Sequence, residues 1–173
     1  FFMALLEKHL YVKKSTIPNA GKGLFTKVFI PKGTRIVEYK GKITTWKEVE
    51  DEDGKNVYIF YVKRYHVIDA WKTPQHLARY ANDARGLTRV KGVTNNCEYV
   101  TEGLRAYIES TKDIPAGSEI LVDYGPDYWK VIRENLRSAK KEEKAKKNSK
   151  KKSKKTKQYK RRTAKRMDSH KKK

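Results

Sequence analysis

The chain has 173 residues and a formal net charge of +22, from 42 Lys and Arg against 20 Asp and Glu. The charge is concentrated at one end, because residues 138–173 hold 19 Lys and Arg and only 3 Asp and Glu. That segment has almost no apolar side chains, so buried surface cannot offset the entropy of ordering it. We expect an extension at 1–8, one domain at 9–137 and a disordered basic tail at 138–173.

The cysteine and histidine content excludes two kinds of site. Cys97 is the only cysteine, so the chain forms no intrachain disulfide and no cysteine-rich zinc site. The four histidines lack the spacing of metal ligands, and we predict no metal centre. No stretch reaches the roughly 20 apolar residues of a membrane span, and a lone cysteine suits a reducing compartment. We expect an intracellular protein without a membrane partner, cytoplasmic or nucleoid-associated in a bacterium and nuclear in a eukaryote.

Short apolar stretches, separated by turns rich in glycine, proline and asparagine, predict a mainly β domain with little helix. Leu77, Tyr80 and Ala81 recur at helical spacing after Pro74, which favours a helix there. The predicted strands are 9–13, 24–29, 35–39, 42–44, 57–62, 66–70, 95–100, 104–109 and 119–122. The predicted helices are 46–53, 74–81 and 128–136, the last extended by a turn or two beyond Ala139.

The apolar strand at 119–122 ends in Asp123-Tyr124-Gly125-Pro126, which is a tight turn. A tyrosine at the end of a buried strand has a fixed ring and a hydroxyl that is free for chemistry. The other interpretation is a core tyrosine beside a turn, and Tyr124 alone favours that one. The choice depends on which residues elsewhere in the chain accompany it.

Gly21 and Gly23 lie in a turn-rich loop before the second predicted strand. A dinucleotide-binding loop is excluded, because the third glycine and the strand–turn–helix context are both missing. Glycines do permit close approach of the backbone to a ligand, and a plain hairpin loop is the alternative.

Six segments in this order resemble the SET-domain protein-lysine methyltransferases, over roughly residues 9–136. They are 19–25 (NAGKGLF), 38–41 (EYKG), 68–70 (IDA), 78–82 (ARYAN), 96–99 (NCEY) and 114–125 (IPAGSEILVDYG). The absence of zinc-binding cysteine clusters makes the chain similar to the minimal, zinc-free members of bacteria and viruses. The resemblance implies a SET fold of several short β-sheets with a C-terminal segment threaded through a loop as a pseudoknot. General topology rules would not predict that threading.

The resemblance also implies S-adenosylmethionine as the methyl donor and a set of residues that bind it. The loop Lys22-Gly23-Leu24 would lie against the cofactor. Arg79 would either pair with the cofactor's carboxylate or be a surface arginine. Asn82 and Asn96 would bond to the cofactor or brace the threaded loop. Trp129 would stack on the adenine or anchor the last helix. The predicted cofactor-binding residues are Lys22, Gly23, Leu24, Arg79, Tyr80, Asn82, Asp83, Asn96 and Trp129.

Methyl transfer from a sulfonium to an amine requires a neutral, aligned amine, so the protein contributes positioning and desolvation. A free lysine has a pKa near 10.4, and an apolar channel that ends at a positive sulfonium should lower it. Tyrosine rings pack against a lysine stem while their hydroxyls orient the nitrogen. By the family's pattern Tyr124 is the predicted catalytic residue and Tyr99 the second channel wall. Tyr39 and Tyr58 are further candidates.

One segment departs from the family's pattern of asparagine-histidine-serine-cysteine. Here Asn82 is followed by Asp83, Ala84 and Arg85, and an insertion at 86–94 precedes the next asparagines. The change puts an adenine contact through the side chain of Asp83 in doubt, although a backbone contact would survive. Trp129 and the start of the last helix would then have to close the cofactor pocket.

The tail, with a local net charge of +16, has the composition of a sequence-independent polyanion binder and resembles histone tails. It would tether the protein to DNA or RNA, serve as a substrate for automethylation, or act only as a solubilising tail. The expected substrate is a basic protein or peptide. The alternative function is a non-catalytic nucleic-acid-binding protein that uses a degenerate SET domain as a scaffold.

Overall fold

The computed structural model describes the backbone of residues 5–52 and 55–170 and the side chains of that part except 149 and 151–170. Three parts of the prediction lie outside the described residues: 1–4 of the extension, 53 of the 46–53 helix with residue 54 after it, and 171–173 of the tail. The chain forms two compact units, one that ends at Val131 and one that begins at Ile132.

Nine short strands and few helical segments make up the described part of the first unit, which confirms the predicted mainly β fold. The strands are β1 (Leu10–Lys14), β2 (Lys22–Thr26), β3 (Arg35–Tyr39), β4 (Lys42–Thr44), β5 (Ile59–Lys63), β6 (His66–Asp69), β7 (Cys97–Glu102), β8 (Arg105–Ser110) and β9 (Glu119–Ile120). The α-helices are α1 (Trp46–Val49) and α2 (Pro126–His170), and 3-10 turns cover Glu7–His9, Glu50–Glu52 and Leu77–Tyr80.

The strands pair in three antiparallel sheets of three, in the orders β1-β2-β9, β3-β8-β7 and β4-β6-β5. Their apolar side chains meet in one core, in which Leu24, Ile36 and Ile108 are fully buried. β2 is buried from Gly23 to its end, so both faces of this short strand are covered. Such a strand shows a continuous apolar run instead of alternation. Cys97 is a buried part of this core.

The segment after β9 runs between two other parts of the chain and is bonded to both. On one side Val122 N donates to the carbonyl of Asn82 (2.8 Å), beside a parallel bridge between Asn82 and Leu121. On the other side Cys97 N donates to the carbonyl of Leu121 (2.9 Å). Residues 82 and 97 are the two ends of one long loop, so the segment passes between the loop's ends. We call residues 121–124 the threaded segment, after the threading that the resemblance implied at this place.

A predicted helix and a predicted strand differ from the structure in ways that have a local cause. The predicted 74–81 helix is only a 3-10 turn at Leu77–Tyr80, because the residues at both its ends, His76 and Ala81, have extended backbone. The predicted 24–29 strand begins at Lys22 and ends at Thr26. The Thr26 hydroxyl donates to the carbonyl of Val28 (2.7 Å) and turns the chain there.

The last helix is longer than predicted. α2 runs from Pro126 to His170, where the sequence predicted a disordered tail soon after Ala139. The physical reason is local, since no glycine or proline follows Pro126 and the segment is rich in strong helix formers. Glu143 and Lys147 form an ion pair one turn apart (2.5 Å). Within the described residues, no helix is both long and apolar enough to cross a membrane.

Candidate active site

Tyr124 is held at both its backbone and its hydroxyl. Its amide donates to Asp83 Oδ2 (3.0 Å), and its hydroxyl donates to the carbonyl of Ala81 (2.5 Å). Gly125, with φ of +86°, and Pro126 end the extended chain immediately afterwards. Burial, reinforced by the neighbouring Tyr128, raises the pKa of the Tyr124 hydroxyl well above its ordinary value. The phenol is therefore a neutral group with a fixed orientation.

A cavity of about 970 Å³ lies beside Tyr124, and aromatic rings form much of its wall. Tyr99 packs against Tyr124 with ring centroids 6.3 Å apart, and Phe60 meets the edge of Tyr99 at 4.9 Å. Burial raises the pKa of the Tyr99 hydroxyl as well, so this residue is also neutral. The lining residues are Tyr39, Trp46, Lys47, Glu50, Asn56, Val57, Ile59, Phe60, Tyr61, Arg64, Arg79, Tyr99, Tyr124, Asp127, Tyr128 and Val131.

Of the two further tyrosine candidates, only Tyr39 lines the cavity. Its hydroxyl donates to the carbonyl of Tyr58 (3.0 Å). Burial raises the pKa of the Tyr39 hydroxyl above its ordinary value. Tyr58 does not line the cavity and instead supports Arg79, whose guanidinium lies 3.9 Å from its ring centroid.

Arg79 lines the cavity and carries a buried nitrogen that could bind the implied cofactor. One guanidinium nitrogen donates to the carbonyl of Trp71 (2.9 Å), but Nε is buried and lacks a hydrogen-bond partner among the described residues. An unpaired buried N–H is costly, and a carboxylate in the cavity would satisfy it. The aromatic wall suits a positive sulfonium, because ring faces attract cations. The lining residues therefore fit S-adenosylmethionine.

The predicted cofactor loop at Lys22-Gly23-Leu24 forms the start of β2 and does not line the cavity. Asn82 Nδ2 donates to the carbonyl of Lys22 (3.0 Å), so this loop and residue 82 are in contact. The structure gives a steric reason for the glycine at 23. A Cβ there would lie 2.2 Å from Glu119 Oε1, so its absence makes room for a carboxylate of the same chain.

Glu119 is a buried carboxylate that the sequence analysis missed. It accepts hydrogen bonds from Ser15 Oγ (2.7 Å), from the amide and hydroxyl of Thr16 (2.7 and 2.5 Å) and from Asn82 Nδ2 (3.2 Å). It thus joins the loop before β2 to residue 82. The available signal was a glutamate at the head of a buried apolar run, since a buried acid needs donors around it.

Asn96 acts as a brace for the threaded segment, which was one of its two predicted roles. Its Nδ2 donates to the carbonyl of Glu119 (2.8 Å), and its Oδ1 accepts from the amide of Leu121 (2.8 Å). Both bonds are buried, and the side chain replaces a strand neighbour at this point. Asn82 is half-buried and binds the Lys22 carbonyl and Glu119 in a similar way.

Trp129 is anchored by Asp83. The indole Nε1 donates to Asp83 Oδ2 (2.7 Å), and the ring lies nearly parallel to Tyr124, at 12° and with centroids 5.9 Å apart. Asp83 is buried, and Arg85 N (2.7 Å) and Asn95 Nδ2 (2.8 Å) donate to its other oxygen. The side chain at 83 therefore binds protein groups.

The predicted site residues divide into those that line the cavity and those that do not. Tyr99, Tyr124 and Arg79 line the cavity, and the other predicted residues lie outside its lining. Tyr80 donates its hydroxyl to the carbonyl of Pro74 (3.1 Å), and the Leu24 side chain is fully buried in the core. Phe60 and Tyr128 line the cavity but were missed, although Tyr128 stands directly beside the predicted Trp129. Among the described residues, no cluster of His, Cys, Asp and Glu has the geometry to hold a metal ion.

Comparison with known proteins gives one family. The family model described as SET domain matches residues 21–125, more than half of the chain. The chain is 28% identical over 139 residues to histone-lysine N-methyltransferase set-17 of Caenorhabditis elegans, which covers 78% of this chain and 47% of the relative. It is 30% identical over 132 residues to histone-lysine N-methyltransferase 2D of Homo sapiens, covering 70% of this chain and 2% of the relative.

A third relative is also named a histone-lysine methyltransferase. Histone-lysine N-methyltransferase EZH2 of Chaetomium thermophilum is 27% identical over 148 residues, covering 76% of this chain and 9% of the relative. The match therefore spans less than half the length of each of these three relatives. The matched residues include β2, the threaded segment and the tyrosine that ends it, and the chain belongs to the SET domain family.

Proposed function

We propose that this protein transfers a methyl group from S-adenosylmethionine to a lysine side chain of a basic protein or peptide. The observation that carries the proposal is the Tyr124 hydroxyl, held by the Ala81 carbonyl at the wall of an aromatic cavity. Membership of the SET domain family supports it, as do relatives that are named histone-lysine methyltransferases.

The cavity residues account for the handling of the lysine. Rings such as Tyr99 and Phe60 would pack against its methylene stem, and the loss of water would lower the pKa of its amine. The Tyr124 hydroxyl donates its hydrogen to the Ala81 carbonyl, so the lone pairs of its oxygen remain to accept a hydrogen bond from an N–H of the amine. Arg79 would hold the carboxylate of the cofactor, which supplies an electrophilic methyl group when bound. The chemistry then depends on alignment, because no general base is needed once the amine is neutral.

The direct test combines transfer and binding. The protein is incubated with methyl-labelled S-adenosylmethionine and a lysine-rich histone-tail peptide, and a peptide with every lysine replaced by arginine is the matched control. We expect label on the lysine peptide only, and a 1:1 complex with S-adenosylhomocysteine in calorimetry. Absence of both label and binding would refute the proposal.

The basic helix supports a second candidate function, nucleic-acid binding, which can coexist with the first or replace it. The described side chains from Arg133 to Asn148 on α2 are exposed, and no apolar stripe offers a protein-packing face. The helix and the residues after it carry the local net charge of +16. Lysines in this density neutralise phosphates and release counterions, which gives salt-dependent binding without sequence preference.

The charge of the tail can be changed without shortening the chain. Replacing the six lysines of 150–157 by glutamine should weaken binding to a duplex DNA and flatten its salt dependence. The log–log slope should fall by about 0.9 for each phosphate that the variant no longer neutralises. Arginine at the same six positions is the matched control and should preserve both affinity and slope. Methyl transfer to a free peptide should not change. Equal duplex affinities and slopes for the two variants would contradict the nucleic-acid proposal.

A further inference from the structure

The carboxylate of Asp83 has all its hydrogen-bonding capacity occupied by the protein. Oδ1 accepts from Arg85 N (2.7 Å) and Asn95 Nδ2 (2.8 Å), and Oδ2 accepts from Tyr124 N (3.0 Å) and Trp129 Nε1 (2.7 Å). The residue is buried, with 4% of its surface exposed. No acceptor position is left for a ligand, which argues against a side-chain contact to a cofactor.

Every group that approaches Asp83 is a donor, so the position requires a carboxylate. An amide offers one oxygen and directs its N–H₂ group at two of the four donors. A histidine, the residue of the family's pattern, offers one acceptor nitrogen at most. A buried donor that loses its acceptor is costly, so neither residue can replace Asp83 in this setting.

We propose that Asp83 is a positioning residue that holds Tyr124 and Trp129 as one unit, and this inference rests on the proposed function. Asp83 Oδ2 accepts hydrogen bonds from the Tyr124 amide and from the Trp129 indole, so one atom fixes the spacing between the two residues. The two rings then lie parallel and 5.9 Å apart, and Tyr128 closes against the edge of both, at 4.9 and 5.0 Å. Asp83 itself does not line the cavity.

The inserted segment beyond Asp83 is built to fit this arrangement. Asn95, which donates to Asp83 Oδ1, also accepts a hydrogen bond from the amide of Ala84 (2.7 Å). It thus connects the two ends of the inserted segment. A Cβ at Gly86 would lie 2.8 Å from Trp129 Cη2, so the glycine leaves room for the indole. Arg85 pairs with Asp123 (2.7 Å), but this pair is exposed and contributes little. Asp83 and the inserted segment, which both depart from the family's pattern, thus both contribute to the position of Trp129.

Fluorine NMR separates this role from a general effect on stability. The full-length protein is labelled with 5-fluorotryptophan, and its three tryptophan resonances are assigned by single Trp→Phe variants. We expect Asp83→Asn to shift and broaden the Trp129 resonance while those of Trp46 and Trp71 stay in place. An unmoved Trp129 resonance would overturn the proposal, whatever the activity.

Kinetics test whether the positioning serves the reaction. Asp83→Asn should lower kcat about 10-fold or more, with the peptide KM within a factor of about three, because alignment and not peptide binding is lost. An unchanged kcat would overturn the role in the reaction. If Asp83→Asn does not fold, Trp129→Phe removes the indole donor, together with one ring, and leaves Asp83 in place. It should lower kcat in the same way, and an unchanged kcat there overturns the role too. Wild-type inactivity would count against the proposed function alone, since the NMR shift decides the positioning.

Discussion

Phenylalanine at position 124 is expected to lower the rate of methyl transfer about 100-fold, the scale of a reacting group that loses its alignment. The ring and its packing against Tyr99 and Trp129 would remain. What is lost is the oxygen that accepts the N–H of the amine, together with the bond to the Ala81 carbonyl. Affinity for S-adenosylhomocysteine should stay within a few-fold. Single-turnover methyl transfer to the lysine peptide measures the effect.

Tyr61→Phe is the matched control, because Tyr61 lines the same cavity but is 55% exposed. It should keep the wild-type rate within about twofold. The pH profile adds a second check. Since burial raises the pKa of Tyr124, its hydroxyl stays protonated in the range where the substrate amine loses its proton. The rate should rise with pH toward the amine's pKa with no loss from ionisation of Tyr124. A Tyr124→Phe rate equal to that of Tyr61→Phe would end the case for Tyr124 as the catalytic residue.

The sequence predicted those parts of the fold that local patterns determine. β3 and β4 have the predicted bounds, because short apolar runs between turn residues leave few alternatives. The helix predicted at 74–81 is only a 3-10 turn. Three apolar residues at helical spacing do not make a helix where the backbone is extended at both ends. The last helix extends further than predicted, since the charge of 138–173 suggested disorder while its residues individually favour helix.

The resemblance selected single residues of the candidate site, each by its type and its place in a motif. Tyr124, Tyr99 and Arg79 do line one cavity. Glu119 was not predicted, because its donors at Ser15 and Thr16 are more than 100 residues away in sequence and meet it only in the folded chain. The coupling of Asp83 to Trp129 has the same origin, since 46 residues separate them. Buried polar networks are specified by the fold and have no local pattern.

Alanine at position 96 should give the largest loss of stability among the site variants, about 3 kcal/mol in the free energy of unfolding, because two buried backbone groups each lose a partner. Those groups are the Glu119 carbonyl in β9 and the Leu121 amide at the start of the threaded segment. Urea unfolding followed by tryptophan fluorescence measures the loss. Tryptophan fluorescence reports on unfolding of the first unit, since Trp46, Trp71 and Trp129 all precede Ile132, where the second unit begins.

Two companion variants identify the cause of that loss. Asn82→Ala also removes an amide that binds this region, but Asn82 is half-buried, so the expected cost is only about 1 kcal/mol. Asn96→Asp keeps an acceptor for the Leu121 amide yet directs an oxygen at the Glu119 carbonyl, so it should recover little. Equal losses for Asn96→Ala and Asn82→Ala would mean that the threaded segment is held by its backbone bonds to residues 82 and 97 alone. The position of Tyr124, three residues after Leu121, would then not depend on Asn96.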